Sequence, residues 1–523
     1  MKKVLLIILD GWGLSPLIDG NATFLAKTPN LDWIYGTYPK TSITASGIDV
    51  GLTSGESGNS EVGHLNLGSG RVVWENLPRI NQSIESEEFF KNENLLKVVD
   101  HVKSGGSALH LIGLCSNGNV HSSIGHLFSL LKFADDQNLD KVYIHLISDG
   151  RDTAPRVVKE DIAKIKNQIA KFDIGKIASI IGRFYAMDRD QHFERTSKAY
   201  NLWVLGQGDK YNSTEEAIDV AYRAGADDEK IGPCLIDNSG LIRPGDGLIF
   251  FNFRADRMRQ ILQSFESQSF YKFQRQKVDN LFITTMTKYF DHQLSPSFFS
   301  PLDMTNVLAD LVESMGLKQS HIAETEKYAH VTYFFNGGQE KPHEHESQIL
   351  VPSPRVESYD QVPAMSSVAI AEKVIDEVKK KIDFILVNFA NGDMVGHTGN
   401  LAAGIKAVET IDENLGRIMS SASRIGYNVI ITADHGNCEN MKNSVSGEID
   451  KEHSTNPVPL VVADLSGIPF TPQKENDFTH QSLLRYSSES PTGILADVAP
   501  TVLEILNIPK PKEMTGSDIS QLI

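Results

Sequence analysis

Aliphatic runs of strand length, each stopping abruptly at a polar or Gly-rich turn, recur along this chain and constrain its fold more than any other feature. Val4 to Leu9 is such a run, continuous rather than alternating, and it ends at Asp10-Gly11-Trp12-Gly13. That pattern predicts a strand covered on both faces. Ala108 to Leu114 leads to Cys115-Ser116-Asn117-Gly118-Asn119-Val120-His121, Val142 to Ile147 to Ser148-Asp149-Gly150-Arg151-Asp152, and Ile177 to Ile181 to Arg183 and Asp188-Arg189-Asp190. Leu248 to Phe251 leads to Phe253-Arg254-Ala255-Asp256-Arg257, Phe384 to Phe389 to Asn391-Gly392-Asp393, and Val429 to Ala433 to Asp434-His435-Gly436. Between them lie segments of helical period, such as Val158, Ile162, Ile165 and Ile169, or Ile405, Val408, Leu415 and Ile418. Strands alternating with helices predict an α/β fold with mainly parallel sheets, whose ligands collect at the carboxyl ends of the strands.

With 523 residues there is room for more than one domain. The pattern changes near 75–78, and Ser295-Pro296-Ser297-Phe298-Phe299-Ser300-Pro301 reads as a linker. Beyond it, Asp303 is placed to cap a helix carrying Val307, Leu308, Leu311 and Met315, with Gly316 just past its end. The balance of 50 Lys+Arg against 67 Asp+Glu, a formal charge of −17, argues against nucleic-acid or anionic-membrane partners, which need a basic face. Three well-separated cysteines fit a reducing compartment, and no apolar stretch is long enough to span a bilayer, so a cytoplasmic protein is expected.

Several of these strand ends carry chemistry. Four runs between 108 and 251 end in His or Arg, the composition of an anion site. Asp10, Asp393 and Asp434-His435 each follow an aliphatic run, and in one parallel sheet their side chains converge on one edge. His397, four residues after Asp393, and His453 complete a set of three carboxylates and three imidazoles. A mixed O/N set of this size suits Mn²⁺ or Zn²⁺ and suffices for two ions. Ser60, in Gly58-Asn59-Ser60-Glu61-Val62-Gly63-His64, could bridge to them. Its two glycines allow a tight turn that holds the hydroxyl out, although Val62 stands where a nucleophile elbow has its second glycine. A turn without chemistry is the alternative. His343 and His345 are expected on an exposed turn, and His292, His321 and His480 have no partner legible in the sequence.

Together these motifs resemble the cofactor-independent (2,3-bisphosphoglycerate-independent) phosphoglycerate mutases of the alkaline phosphatase superfamily. The resemblance is carried nearly end to end, by the residues at 9–13, 58–64, 149–152, 182–189, 252–257, 324–332, 393–399, 432–437 and 453–459. The chain departs from the pattern at Asn117, Asn119 and Ser123, in the loop around His121, where Asp-Gly-Gly and a second histidine are expected. The resemblance implies a phosphatase-like domain at 1–75 and 303–523, interrupted by a phosphotransferase domain at 79–297, with hinges near 75–78 and 296–302. It implies that Ser60 is the phosphorylated nucleophile, with one Mn²⁺ held by Asp393, His397 and His453 and the other by Asp10, Ser60, Asp434 and His435. His121, Arg151, Asp152, Arg183, Arg189, Arg254, Arg257 and Lys327 would bind substrate, a monomer would suffice, and no 2,3-bisphosphoglycerate would be needed.

The implied reaction interconverts 3-phosphoglycerate and 2-phosphoglycerate. Its substrate carries a carboxylate and a phosphate, both matched by arginine forks, and Lys327 would stabilise the attacking oxygen and the transferring group. Asp152 is the expected acid/base, unless it merely orients Arg151 or the substrate. Closure of the domains would keep water from the phosphoserine. The rival is a metal-dependent phosphomonoester hydrolase, which shares the nucleophile and metal ligands but releases phosphate.

Overall fold

The computed structural model describes residues 2–444, 446–471 and 478–520. The chain forms two compact units, Met1–Glu75 with Asp303–Ile523, and Asn76–Leu302. Each is built on an eight-stranded, mainly parallel sheet covered by helices, the α/β class expected from the alternating pattern.

The first unit's sheet runs Glu346–Val351, Gln319–Glu324, Phe384–Phe389, Val4–Leu9, Asn428–Thr432, Val458–Asp464, Lys40–Thr44 and Gly493–Ile494. Val4–Leu9 is central and fully buried, paired in parallel with Phe384–Phe389 on one side and Asn428–Thr432 on the other. Leu9 lies opposite Phe389 and Ile8 opposite Thr432, so Asp10, the turn before Asp393 and the turn before Asp434 leave the sheet at one level. Val458–Asp464 is antiparallel to both neighbours. Its beginning therefore lies at the edge where the parallel strands end, which brings in the His453 loop.

The second unit's sheet runs Ser297–Phe299, Phe282–Thr287, Gly247–Phe250, Leu109–Cys115, Val142–Ser148, Lys176–Gly182, Cys234–Leu235 and Asp209–Lys210. The segment 295–301 is thus not all linker: Ser297–Phe299 pairs in parallel with Phe282–Thr287, and Phe298 and Phe299 are buried. Pro296 and Pro301 flank the strand without interrupting it, which is why a Pro/Ser-rich reading misses it.

Two further local readings are corrected. The helix after the linker is Leu308–Ser314, and its start is tied by Asp310, which accepts the Val307 N–H at 3.0 Å; Asp303 instead accepts from Thr305 at 3.0 Å. His343 is buried, with Nε2 2.7 Å from Asp310 Oδ1 and Nδ1 2.8 Å from Glu346 Oε2. A histidine held between two carboxylates is best protonated. Burial works against its charge, but the bonds to Asp310 and Glu346 push its pKa up to about 9, and Glu346, also against burial, falls to about 2.

Stability from a raised histidine is complete below its ordinary value of 6.5 and is lost as the pH climbs through 9. Wild-type urea stability should therefore fall by on the order of 1 kcal/mol more than that of His343→Gln between these pH values. Parallel slopes in the two proteins would refute the pairing.

Candidate active site

Ser60 is not on a loop; it is the first residue of the helix Ser60–Ser69, whose N-cap Asn59 accepts the Val62 N–H at 2.9 Å. The start of a helix presents free N–H groups and a positive dipole end, and so favours an oxygen that gains negative charge. Gly63 lets this helix press on the strand end: a Cβ there would lie 2.7 Å from the Asp434 side chain. Ser60 Oγ is 2.9 Å from His435 Nε2, 3.4 Å from Asp10 Oδ1 and 2.7 Å from Lys327 Nζ. Lys327 follows the strand Gln319–Glu324, and its ammonium also touches Asp10 Oδ1 at 2.7 Å and Asp393 Oδ2 at 2.6 Å.

The imidazoles are oriented by their far nitrogens. His397 Nδ1 is 2.6 Å from the Lys451 carbonyl, His453 Nδ1 is 2.8 Å from the Gly58 carbonyl, and His435 Nδ1 is 3.3 Å from the Gly436 carbonyl. Each Nδ1–H donates to a carbonyl, which leaves the Nε2 lone pair facing the carboxylates. His397 Nε2 and His453 Nε2 each lie 3.1 Å from Asp393 Oδ1 and only 3.0 Å from one another. Two ring nitrogens and a carboxylate oxygen at such distances need a cation among them, a metal ion or a proton on one nitrogen; the bond to Asp393 holds the His397 pKa above its usual value and, against burial, that of His453 as well. The buried Asp434 Oδ2 makes no well-aligned hydrogen bond, its nearest imidazole nitrogen being His64 Nδ1 at 3.2 Å.

Two overlapping groups of ligand atoms within 4.8 Å of one another result, Asp393 with His435 and His453, and Asp10 with Asp434 and His435. This donor set fits divalent ions. The charges agree: three buried carboxylates face one ammonium. Burial and Asp434 hold the Asp10 pKa above its usual value, whereas Asp393 is drawn well down, against burial, chiefly by Lys327. Burial also opposes the charge of Lys327, but Asp10 and Asp393 hold its pKa above the ordinary lysine value.

Two residues of this set are missed by the sequence reading. His64 Nδ1 is 2.9 Å from the Ser60 carbonyl and 3.2 Å from Asp434 Oδ2, and its Nε2 accepts from Asn388 at 3.0 Å. Asn388 also donates to Asp10 Oδ2 at 2.7 Å. An amide inside the otherwise apolar run Phe384–Phe389 was the available signal, because a buried amide needs partners.

In the second unit the arginines gather at the carboxyl edge of its own sheet. Arg183, 3% exposed, gives Nη1 to Asp149 Oδ1 at 2.6 Å and to Asp152 Oδ2 at 2.5 Å. Asp149 also accepts the Arg151 and Asp152 N–H groups at 3.1 and 3.0 Å, so it shapes the whole turn. Asp256, named above only as part of a motif, holds Arg189 at 2.6 Å and Arg254 at 3.3 Å. His121 lies 3.9 Å from Asp152 and 3.7 Å from Asp256, and burial followed by the Arg183 charge lowers its pKa to about 4. Arg257 donates to the Met187 carbonyl at 3.3 Å, and its pKa is lowered by burial and by repulsion from Arg189, Arg183 and Arg151. Cations that repel one another on a strand edge could hold an anion. Asn117 and Ser123 are absorbed locally, Asn117 by Asp161 and Ser123 as the cap of helix Ile124–Asp136.

Residues 80–291 match the family described as BPG-independent PGAM N-terminus, and residues 271–455 match type I phosphodiesterase / nucleotide pyrophosphatase. The chain is 45% identical to a 2,3-bisphosphoglycerate-independent phosphoglycerate mutase of Rippkaea orientalis, over 100% of this chain and 96% of that protein. It is 46% identical to the protein of that name from Clostridium novyi, over 99% of both. A solved structure of Leishmania mexicana phosphoglycerate mutase, determined at low cobalt concentration, is 30% identical with a TM-score of 0.58, covering 99% of this chain and 97% of that one.

Proposed function

The chain belongs to the family of 2,3-bisphosphoglycerate-independent phosphoglycerate mutases, and from that premise we propose that it interconverts 3-phosphoglycerate and 2-phosphoglycerate through a phosphoserine at Ser60. The observation that carries this reading is the Ser60 hydroxyl at a helix start, 2.7 Å from an ammonium and 2.9 Å from an imidazole, inside a set of carboxylates.

Ser60 Oγ, already deprotonated and stabilised as the alkoxide by Lys327, attacks the phosphorus while the bond to O3 of the glycerate breaks and O3 takes a proton from Asp152. Lys327 offsets the charge on the attacking oxygen and on the phosphoryl group. The 2-hydroxyl of the retained glycerate then attacks phosphoserine and Ser60 is restored. The second unit's cluster, with His121, Arg151, Arg183, Arg189, Arg254 and Arg257, recognises the anionic substrate. Asp152 takes and returns the hydroxyl protons, oriented by its bond to Arg183.

Divalent ions, Mn²⁺ in our reading with Zn²⁺ as the substitute, would be held by Asp393, His397 and His453 and by Asp10, Ser60, Asp434 and His435, and would supply Lewis-acid stabilisation at the transferring group. The protein works as a cytoplasmic monomer with no nucleic-acid or membrane partner. The acidic balance supports the absence of nucleic-acid and anionic-membrane partners, and the three free cysteines support a reducing compartment; the monomeric state is carried over from the family resemblance.

Phosphorus NMR of the purified protein with 3-phosphoglycerate and no bisphosphoglycerate tests the proposal. We expect 2-phosphoglycerate with Mn²⁺ and at least about a 100-fold slower conversion with chelator. Free phosphate as the sole product would mean a hydrolase instead.

A further inference from the structure

Glu439 has no place in the cycle above, yet its carboxylate sits where the metal-ligand loops meet. The residue is 1% exposed. Oε2 accepts the backbone N–H groups of Gly13 at 2.9 Å and Asn437 at 2.8 Å. Oε1 accepts from Ser454 Oγ and from Asn456 Nδ2, the latter at 2.8 Å.

These four neutral donors come from three separate loops, and each lies a short step from a proposed ligand. Gly13 follows Asp10 by three residues, Asn437 follows His435 by two, and Ser454 directly follows His453. Asn437, its own N–H held by Glu439, turns its side-chain amide onto Asp393 Oδ1 at 2.9 Å. The contact requires glycine on two sides: a Cβ on Gly13 would lie 2.3 Å from Glu439 Cδ, and one on Gly436 2.6 Å from Oε1.

A carboxylate is the group this pocket needs, because it accepts on both oxygens. Glutamine has the same shape, but its NH₂ would face donors on one side or the other, leaving buried groups unpaired.

We infer that Glu439 is a positioning residue for the metal centre. One buried carboxylate sets the placement of Asp10, Asp434, His435 and His453 and, through Asn437, of Asp393, so both ion positions depend on it. The inference rests on the divalent-ion reading of the site. It predicts a coupled effect: whereas His397 belongs to one ion position, Glu439 governs both.

The test is Mn²⁺ titration of chelator-stripped, full-length wild type and Glu439→Gln, with free ion read by electron paramagnetic resonance. It is accompanied by melting of the metal-free proteins and by the Mn²⁺ dependence of turnover. Wild type should take up two ions. In Glu439→Gln both binding steps should weaken by about 10- to 100-fold. Half-maximal activity should need correspondingly more Mn²⁺, with KM for 3-phosphoglycerate unchanged.

Wild-type Mn²⁺ affinity in Glu439→Gln, with only a lower melting temperature, would overturn the inference and leave Glu439 a structural residue. Weakening confined to one step would overturn the claim that it serves both positions. Should Glu439→Gln fail to fold, Ser454→Ala removes one donor, and about threefold to tenfold weaker Mn²⁺ binding is expected there. Unchanged affinity in that variant would again overturn the inference. A wild type that takes up no Mn²⁺ would remove the metal-centre reading itself.

Discussion

Replacing Ser60 by alanine should abolish isomerisation, with kcat falling by at least about 10⁴-fold, because a phosphoserine cannot form on a methyl group. The substitution removes a single oxygen from a buried position, so the fold should persist. The helix from Ser60 to Ser69 keeps its Asn59 cap, and the Ser60 carbonyl contact with His64 is a backbone contact. Phosphorus NMR separates the possibilities. In the wild type a phosphoserine resonance should accompany turnover, and in Ser60→Ala neither that resonance nor 2-phosphoglycerate should appear. Isomerisation within tenfold of wild type would show that the phosphoryl group does not pass through this residue.

Lys327→Met should have the second-largest effect, and of a different kind. Its ammonium lies among Ser60 Oγ, Asp10 Oδ1 and Asp393 Oδ2 at 2.6 to 2.7 Å. Methionine keeps most of the volume but removes the lysine charge that contacts these carboxylates among the described residues. We expect kcat to fall by about 10²- to 10³-fold, the scale for removing one charge-stabilising donor from a transition state. In chelator the variant should also lose about 3 kcal/mol of stability, because it leaves carboxylates buried beside one another without their counter-charge. Excess Mn²⁺ should recover much of that stability, since ions can take over the charge, but little of kcat. A variant that turns over within fivefold of wild type would remove Lys327 from the chemistry.

Much of the site's inventory was legible from local patterns. Val4–Leu9 is recognisable as a buried strand because six aliphatic residues in a row suit only an element covered on both faces. Once parallel strands are inferred, their ends are where ligands gather, and Asp10, Asp393, Asp434 and His435 follow from that rule alone. His343 was misjudged for the complementary reason. The local run Pro-His-Glu-His-Glu looks like a solvated turn, and it takes Asp310, 33 residues away, together with Glu346 to make burial of the imidazole favourable. Glycines at 58 and 63 suggest a turn around Ser60; packing against Asp434 instead holds the segment as a helix. Asn388 and Glu439 stand outside any recognised motif, and His64 closes the run at 58–64 without a legible role, since each acts by holding a ligand or its loop.

The amino-acid order by itself determined the long buried strands, the strongly periodic helices and the polar residues at the strand ends, because hydrophobic periodicity and turn preference act over a few neighbours; it did not determine the strand Ser297–Phe299 or the helix Ser60–Ser69. Only the tertiary structure decided that Asp10 and His435, with Asp434 beside them, gather at one serine, that three imidazoles turn Nε2 inward, and that Glu439 joins loops more than four hundred residues apart in the chain. Those contacts depend on strand order and on carbonyls donated from distant turns. Such distances exist only once the sheet has formed.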